Sequence, residues 1–176
     1  LGTKESLGRG SFQFMTAGKG VRHSEHNRGD VPLRFIQTWI VPTKSGLQPN
    51  YGSLAGNTCK EARRNELQHL VSSVENKDVS TPVEIHQDLD GYTAELELAK
   101  SVKLDLEDDR QAYLLCVEGE LEVNGETLKK HDACEILGGG RLYIKATGVE
   151  ETEGGEVDHL LLYSMPTVEG DGRQGR

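Results

Sequence analysis

The sequence predicts an all-β protein of the antiparallel sandwich or barrel kind, and three observations carry that expectation. Glycine is abundant at 21 residues, aromatics are only 5% and the hydrophobic fraction is 35%, a mixture suited to short strands and tight turns. Turn signals recur about every eight to twelve residues along the second half of the chain. The clearest local pattern is Val117-Glu118-Gly119-Glu120-Leu121-Glu122-Val123, followed by Asn124-Gly125, the dipeptide favoured where both central residues of a hairpin need positive φ.

Residues 11–16 and 20–26 read as short strands around the Ala17-Gly18 turn, and Asn27 to Pro32 reads as a loop. Arg34 to Val41 is rich in β-branched and aromatic residues and reads as the most apolar strand of the first third, closed by Pro42. Gly46 to Gly52 is extended. Residues 53–66 lose the β period and read as a linker. Strands are then expected at 67–74, 83–86, 92–98, 102–106, 113–123, 133–137, 141–146 and 157–165. In the hairpin, Val117, Leu121 and Val123 are expected on one face, with Glu118, Glu120 and Glu122 on a solvated face. Residues 169–176 read as a disordered tail.

The formal net charge of −9 argues against direct binding of nucleic acid or an anionic membrane, because phosphate recognition needs clustered Lys and Arg. No apolar run approaches the roughly 18 residues of a membrane span. Cys59, Cys116 and Cys134 form no CxxC pair, which fits reduced, mostly buried thiols in an intracellular setting. The chain opens at Leu1 without an apolar signal core, and reads as a processed, truncated or partly recorded product. Nucleophile-elbow, phosphate-loop and dinucleotide motifs are absent; Gly138-Gly139-Gly140 lies between strands and opens no helix.

The residues that carry chemistry are His23 and Glu25. Two apart on a strand, they would share one face about 6.5 Å apart, after a turn punctuated by Gly18 and Gly20. An inward His and Glu suit a hard or borderline metal such as iron or manganese. His26 would point the other way, as a surface or loop-cap histidine. Gln37 and Trp39 would likewise share a strand face, either lining a pocket behind the metal ligands or packing as core and edge. His131, within Lys129 to Asp132, reads as a turn residue.

Three stretches together resemble one family: Met15-Thr-Ala-Gly-Lys-Gly-Val-Arg-His23-Ser-Glu25-His26-Asn27, Gln37-Thr-Trp39-Ile-Val-Pro42 and Pro49-Asn-Tyr51. They closely resemble the pirin family, and the likeness runs from about Ser6 to Pro166, more loosely in the second half through His86-Gln87-Asp88 and the Glu-Val-Asn-Gly hairpin. The resemblance implies two double-stranded β-helix (cupin) barrels, a bicupin. Here that means part of an N-terminal cupin at 1–52, a linker at 53–66, a complete C-terminal cupin at 67–166 and a tail at 167–176. It also implies non-haem iron, Fe(II), in the N-terminal cupin, held by three histidines and one glutamate. His23 and Glu25 match two of those ligands, while the family's upstream His-x-His has no counterpart in this sequence. The C-terminal cupin is expected to hold no metal.

Two functions follow from the resemblance. One is a non-catalytic subunit or regulator without its own cofactor, with a protein partner covering an open N-terminal sheet edge. The family also contains a redox-responsive transcriptional cofactor. The alternative is a quercetin 2,3-dioxygenase-like iron-dependent oxygenase acting on a small aromatic substrate, if the native chain carries the missing histidines.

Overall fold

A computed structural model describes residues 2–58, 60–148 and 157–167. Twelve strands and one 3-10 turn, Glu61–Arg63, make up its regular structure, so the all-β expectation holds. The first two strands, β1 (Phe12–Thr16) and β2 (Asn50–Leu54), pair antiparallel as a separate ribbon. The others are β3 (Gln68–Ser73), β4 (Val83–Ile85), β5 (Asp90–Glu97), β6 (Ser101–Leu106), β7 (Arg110–Glu118), β8 (Glu120–Val123), β9 (Glu126–Lys129), β10 (Ala133–Ile136), β11 (Gly140–Ala146) and β12 (Val157–Pro166). They form a six-stranded sheet in the order β10-β7-β12-β5-β3-β4 and a four-stranded sheet in the order β6-β11-β8-β9.

These two sheets face one another across the main core, as expected of a cupin barrel. Strand alternation supplies it: Leu142, Ile144 and Ala146 of β11 point in, while Arg141, Tyr143 and Lys145 point out. Facing them are Ala112, Leu114 and Cys116 of β7 and Leu160 and Leu162 of β12. Each fully buried leucine stabilises the fold by about 1.5–3 kcal/mol relative to exposure. The Asn124-Gly125 hairpin forms as the dipeptide implies, with φ of 49° and 91°. Residues 2–54, referred to below as the arm, lie against the outer face of the six-stranded sheet. There Phe12, Phe14, Ile40 and Leu54 pack on a smaller core of Leu70, Val71, Val83 and Leu89.

Three expectations need correction. Residues 20–26 and 34–41 adopt no strand. The second stretch has strand-like composition, but β-propensity measures fit to a half-buried pleated surface, and no described strand lies alongside it. The glutamate row is not uniformly solvated either. Gly119 at φ +78° interrupts the alternation, so Glu118 is buried at 3% exposure, Glu120 is half-buried and only Glu122 is exposed. A Cβ at Gly119 would lie 1.8 Å from Asp158 Oδ1, which requires glycine at that break.

Cys116 is buried and Cys134 half-buried, both as free thiols, and burial pushes Cys116 up to about 12. Cys59 and the 169–176 tail lie outside the described residues.

Candidate functional site

His23 and Glu25 lie on the loop after β1, and both are exposed. Glu25 Oε1 accepts a 2.7 Å hydrogen bond from Gln13 Nε2, and Tyr51 OH donates to Gln13 Oε1 at 3.3 Å. Burial first, then Glu5, pushes the Tyr51 phenol up to about 12, so it remains a donor. His26 Nε2 lies 3.0 Å from Ser24 Oγ, in keeping with a loop histidine. Gln37 and Trp39 are exposed, Trp39 at 84%. Among the described residues, no three His, Cys, Asp or Glu side chains converge closely enough to hold a metal ion. Two exposed donors do not by themselves fit the iron the resemblance implies, since such centres use at least three protein ligands.

The structure instead brings charged residues together where arm meets barrel. Glu95 of β5, His159 of β12 and Glu118 of β7 are direct cross-strand neighbours. Arg63, just before the barrel, pairs with Glu95 at 3.1 Å, and both side chains are only 6% exposed. Arg9 grips Glu118 with two bonds of 2.8 and 2.5 Å, and Arg34 approaches the same carboxylate at 3.8 Å. Three arginines thus cap a Glu-His-Glu row, Arg63 at Glu95 and Arg9 with Arg34 at Glu118. Burial alone would raise the Glu118 carboxyl, but the hydrogen bond and charge of Arg9 override it and leave it below the usual range. His159 meets Thr93 Oγ1 through Nε2 at 3.0 Å, and desolvation pushes it down to about 4 against the pull of Glu95.

This row holds the arm and performs no evident chemistry. Sequence reasoning missed it because Arg9 and Glu118 are 109 residues apart, with no local signal linking them. Further anchors run along the arm. Arg34 Nη1 donates to His131 Nε2 at 3.0 Å, and His131 sits at φ 73° in the expected turn. Thr38 Oγ1 lies 3.0 Å from Tyr163 OH, and Gln87 Nε2 donates to Val41 O at 2.8 Å.

The anchors fix the polar side of residues 31–41 and leave its apolar side uncovered. Val31, Leu33, Phe35, Ile36, Trp39 and Val41 are each between 48% and 84% exposed. Six large apolar side chains in eleven residues form a continuous uncovered segment, unlike the scattered single exposures normal on protein surfaces. The charge of the arm differs from that of the rest. Residues 1–52 carry seven Lys and Arg against three Asp and Glu, while residues 53–176 carry thirteen against twenty-six. Among the described residues, no helix is long and apolar enough to cross a membrane.

Comparison with known proteins matches residues 1–40 to the Pirin family model and residues 70–152 to the model of the quercetinase C-terminal cupin domain. A quercetin 2,3-dioxygenase of Escherichia coli K12 is 29% identical over 172 residues, 96% of this chain and 66% of that protein. A pirin-like protein of Caulobacter vibrioides is 31% identical over 153 residues, 87% of this chain and 63% of the relative. The chain therefore spans about two thirds of the length of these relatives. The E. coli protein YhhW has the same fold, with a TM-score of 0.74 at 23% identity over 96% of this chain and 65% of YhhW. Bacterial pirin YhhW from E. coli in complex with nickel(II) superposes with a TM-score of 0.72 at 24% identity, covering 95% of this chain and 66% of that one. Its matched models, its relatives and its barrel agree: the chain belongs to the pirin family of cupin proteins.

Proposed function

We propose that this chain acts by binding, as a pirin-type cupin subunit or regulator that docks a protein partner on residues 31–41. The uncovered apolar segment is the observation that carries this reading. Its basic surroundings indicate the partner: a protein offering an apolar strand or edge rimmed by acidic residues, so that burial supplies affinity and charge supplies orientation. In this reading residues 1–52 belong to an N-terminal cupin, 53–66 link it onward, 67–166 form the C-terminal cupin and 167–176 are a tail.

His23 and Glu25 are assigned as two ligands of a metal centre in the N-terminal cupin, with Gln37 and Trp39 in the surrounding pocket. Iron(II) is the metal proposed, and further donors must come from outside the described residues. The nickel(II) complex of bacterial pirin YhhW supports a metal site in this family. Where a metal is held, it supplies Lewis acidity; Gln13, fixed by Tyr51, holds the Glu25 carboxylate through a hydrogen bond. The second reading is a quercetin 2,3-dioxygenase-like oxygenase on a small aromatic substrate, favoured by the 29% identity to the E. coli quercetin 2,3-dioxygenase.

The test is a metal analysis of the natively purified protein, together with a pull-down using a Trp39→Asp control. Stoichiometric retention of a second protein, lost in W39D, supports the binding reading. Stoichiometric iron with turnover of quercetin and no retained partner supports the oxygenase.

A further inference from the structure

A second site lies in the barrel itself, at the mouth between the two sheets, and does not depend on the reading of the arm. A cavity of about 240 Å³ opens there. Barrel mouths are recurrent ligand sites, and this volume is below the roughly 300–1,000 Å³ that accommodates drug-sized molecules. Its wall is a fixed polar network. Arg110 Nη1 donates to Asp88 Oδ1 at 2.8 Å, its Nη2 to Asp90 Oδ2 at 3.2 Å, and its Nε to Ser164 Oγ at 2.8 Å. From behind, His69 Nε2 lies 3.0 Å from Asp90 Oδ1, and the His69 ring stacks on Tyr92 at 4.4 Å. Tyr92 also packs against the edge of the main core, and the network holds Asp90 and Tyr92 at the opening.

The lining restricts what it accepts. Asp88, Asp90, Asp105 and Glu107 line the cavity, Asp105 paired outward with Arg141, and the one guanidinium in the lining, Arg110, is already committed to the wall. An anion would meet carboxylates and no free cation. Tyr92 faces the same space, and its hydroxyl meets no partner among the described residues. Burial, then the nearby Asp90, pushes that phenol up to about 12, so it stays protonated and can donate to a ligand in the cavity. A simple ammonium satisfies the carboxylates but offers Tyr92 nothing. A hydroxyl donates to a carboxylate and accepts from a phenol, and Leu104 gives an apolar surface for C–H groups.

We infer that the mouth of the C-terminal barrel binds a small neutral polyol, with Tyr92 donating to one ligand hydroxyl and Asp88, Asp90 and Glu107 accepting from others. His69 and Arg110 are positioning residues.

The experiment is saturation-transfer NMR on the full chain with myo-inositol, D-glucose and D-ribose, alongside putrescine and citrate. Saturable millimolar binding of at least one polyol is expected, with neither charged probe competing. Tyr92→Phe keeps the ring, its stacking and the fold, and is expected to weaken binding roughly tenfold, the order of one hydrogen bond that loses its partner. A matching thermal melt of Y92F separates loss of binding from loss of structure. No saturable polyol binding, unchanged affinity in Y92F with an unchanged melt, or preferential binding of putrescine or citrate would each overturn the assignment.

Discussion

Fourteen apolar residues are buried together inside the barrel, where facing sheets supply partners on every side. The arm leans on a buried cluster of four and depends otherwise on directional contacts: Arg9 on Glu118, Arg34 near the same carboxylate, and Arg63, which pairs with Glu95 and donates to Gly10 O of the arm at 3.1 Å. The barrel is thus held by non-directional burial that tolerates a shift of pH, whereas the arm is held by directional contacts that do not. An element attached in this way presents an apolar face without that face being needed for the barrel to fold. That is the property required of a docking segment.

The largest effect is expected where the two regions meet. Arg63→Ala leaves Glu95 buried without its ion-pair partner and is expected to destabilise by about 3–5 kcal/mol, read by denaturant unfolding. Loss of arm attachment with an undisturbed barrel midpoint would sharpen the contrast, whereas one cooperative loss would break it. Leu160→Ala, in the barrel core, is expected to cost about 2–5 kcal/mol and to lower the melting temperature of the barrel.

Acid should act on the arm first. His159 has a folded pKa near 4, well below its ordinary 6.5, so the unfolded or undocked state binds the proton more readily. Its contribution is complete above about pH 6.5 and is lost as the pH falls toward 4, up to roughly 3 kcal/mol. Glu118, held below the usual carboxylate range, adds a loss in the same direction at still lower pH. Hydrogen exchange of β1 and β2 between pH 7 and 4.5 should accelerate before exchange of β11, and His159→Gln should flatten that dependence. Equal acceleration in both regions would count against separate attachment. The smallest effect on stability is expected from Trp39→Ser: within about 0.5 kcal/mol by thermal melt, because the side chain is exposed, while partner retention falls sharply.

The barrel was legible in the sequence because its strands alternate cleanly and their turns carry the right residues. Leu142-Tyr143-Ile144-Lys145-Ala146 and Asn124-Gly125 announce their geometry without reference to anything distant. The arm was not. Phe35, Ile36, Trp39 and Val41 have the composition of a strand, but a strand also needs a neighbour, and composition does not report one. Glu118 looked like one of a solvated row because the break at Gly119 depends on a positive φ and on Asp158 close by. The Arg63-Glu95-His159-Glu118-Arg9 row joins five distant parts of the chain, which only the fold brings together. His23 and Glu25 stood out as a pair, and the family resemblance gave them a meaning that their exposed positions alone do not.

The most direct test of the docking role is the mass of the protein isolated from its natural source, measured native and denatured on one sample. The expected result is a native assembly containing a second, stoichiometric polypeptide, with residues 31–41 protected from exchange until the two are separated. A single species of the same mass in both measurements, with residues 31–41 exchanging freely, would contradict it.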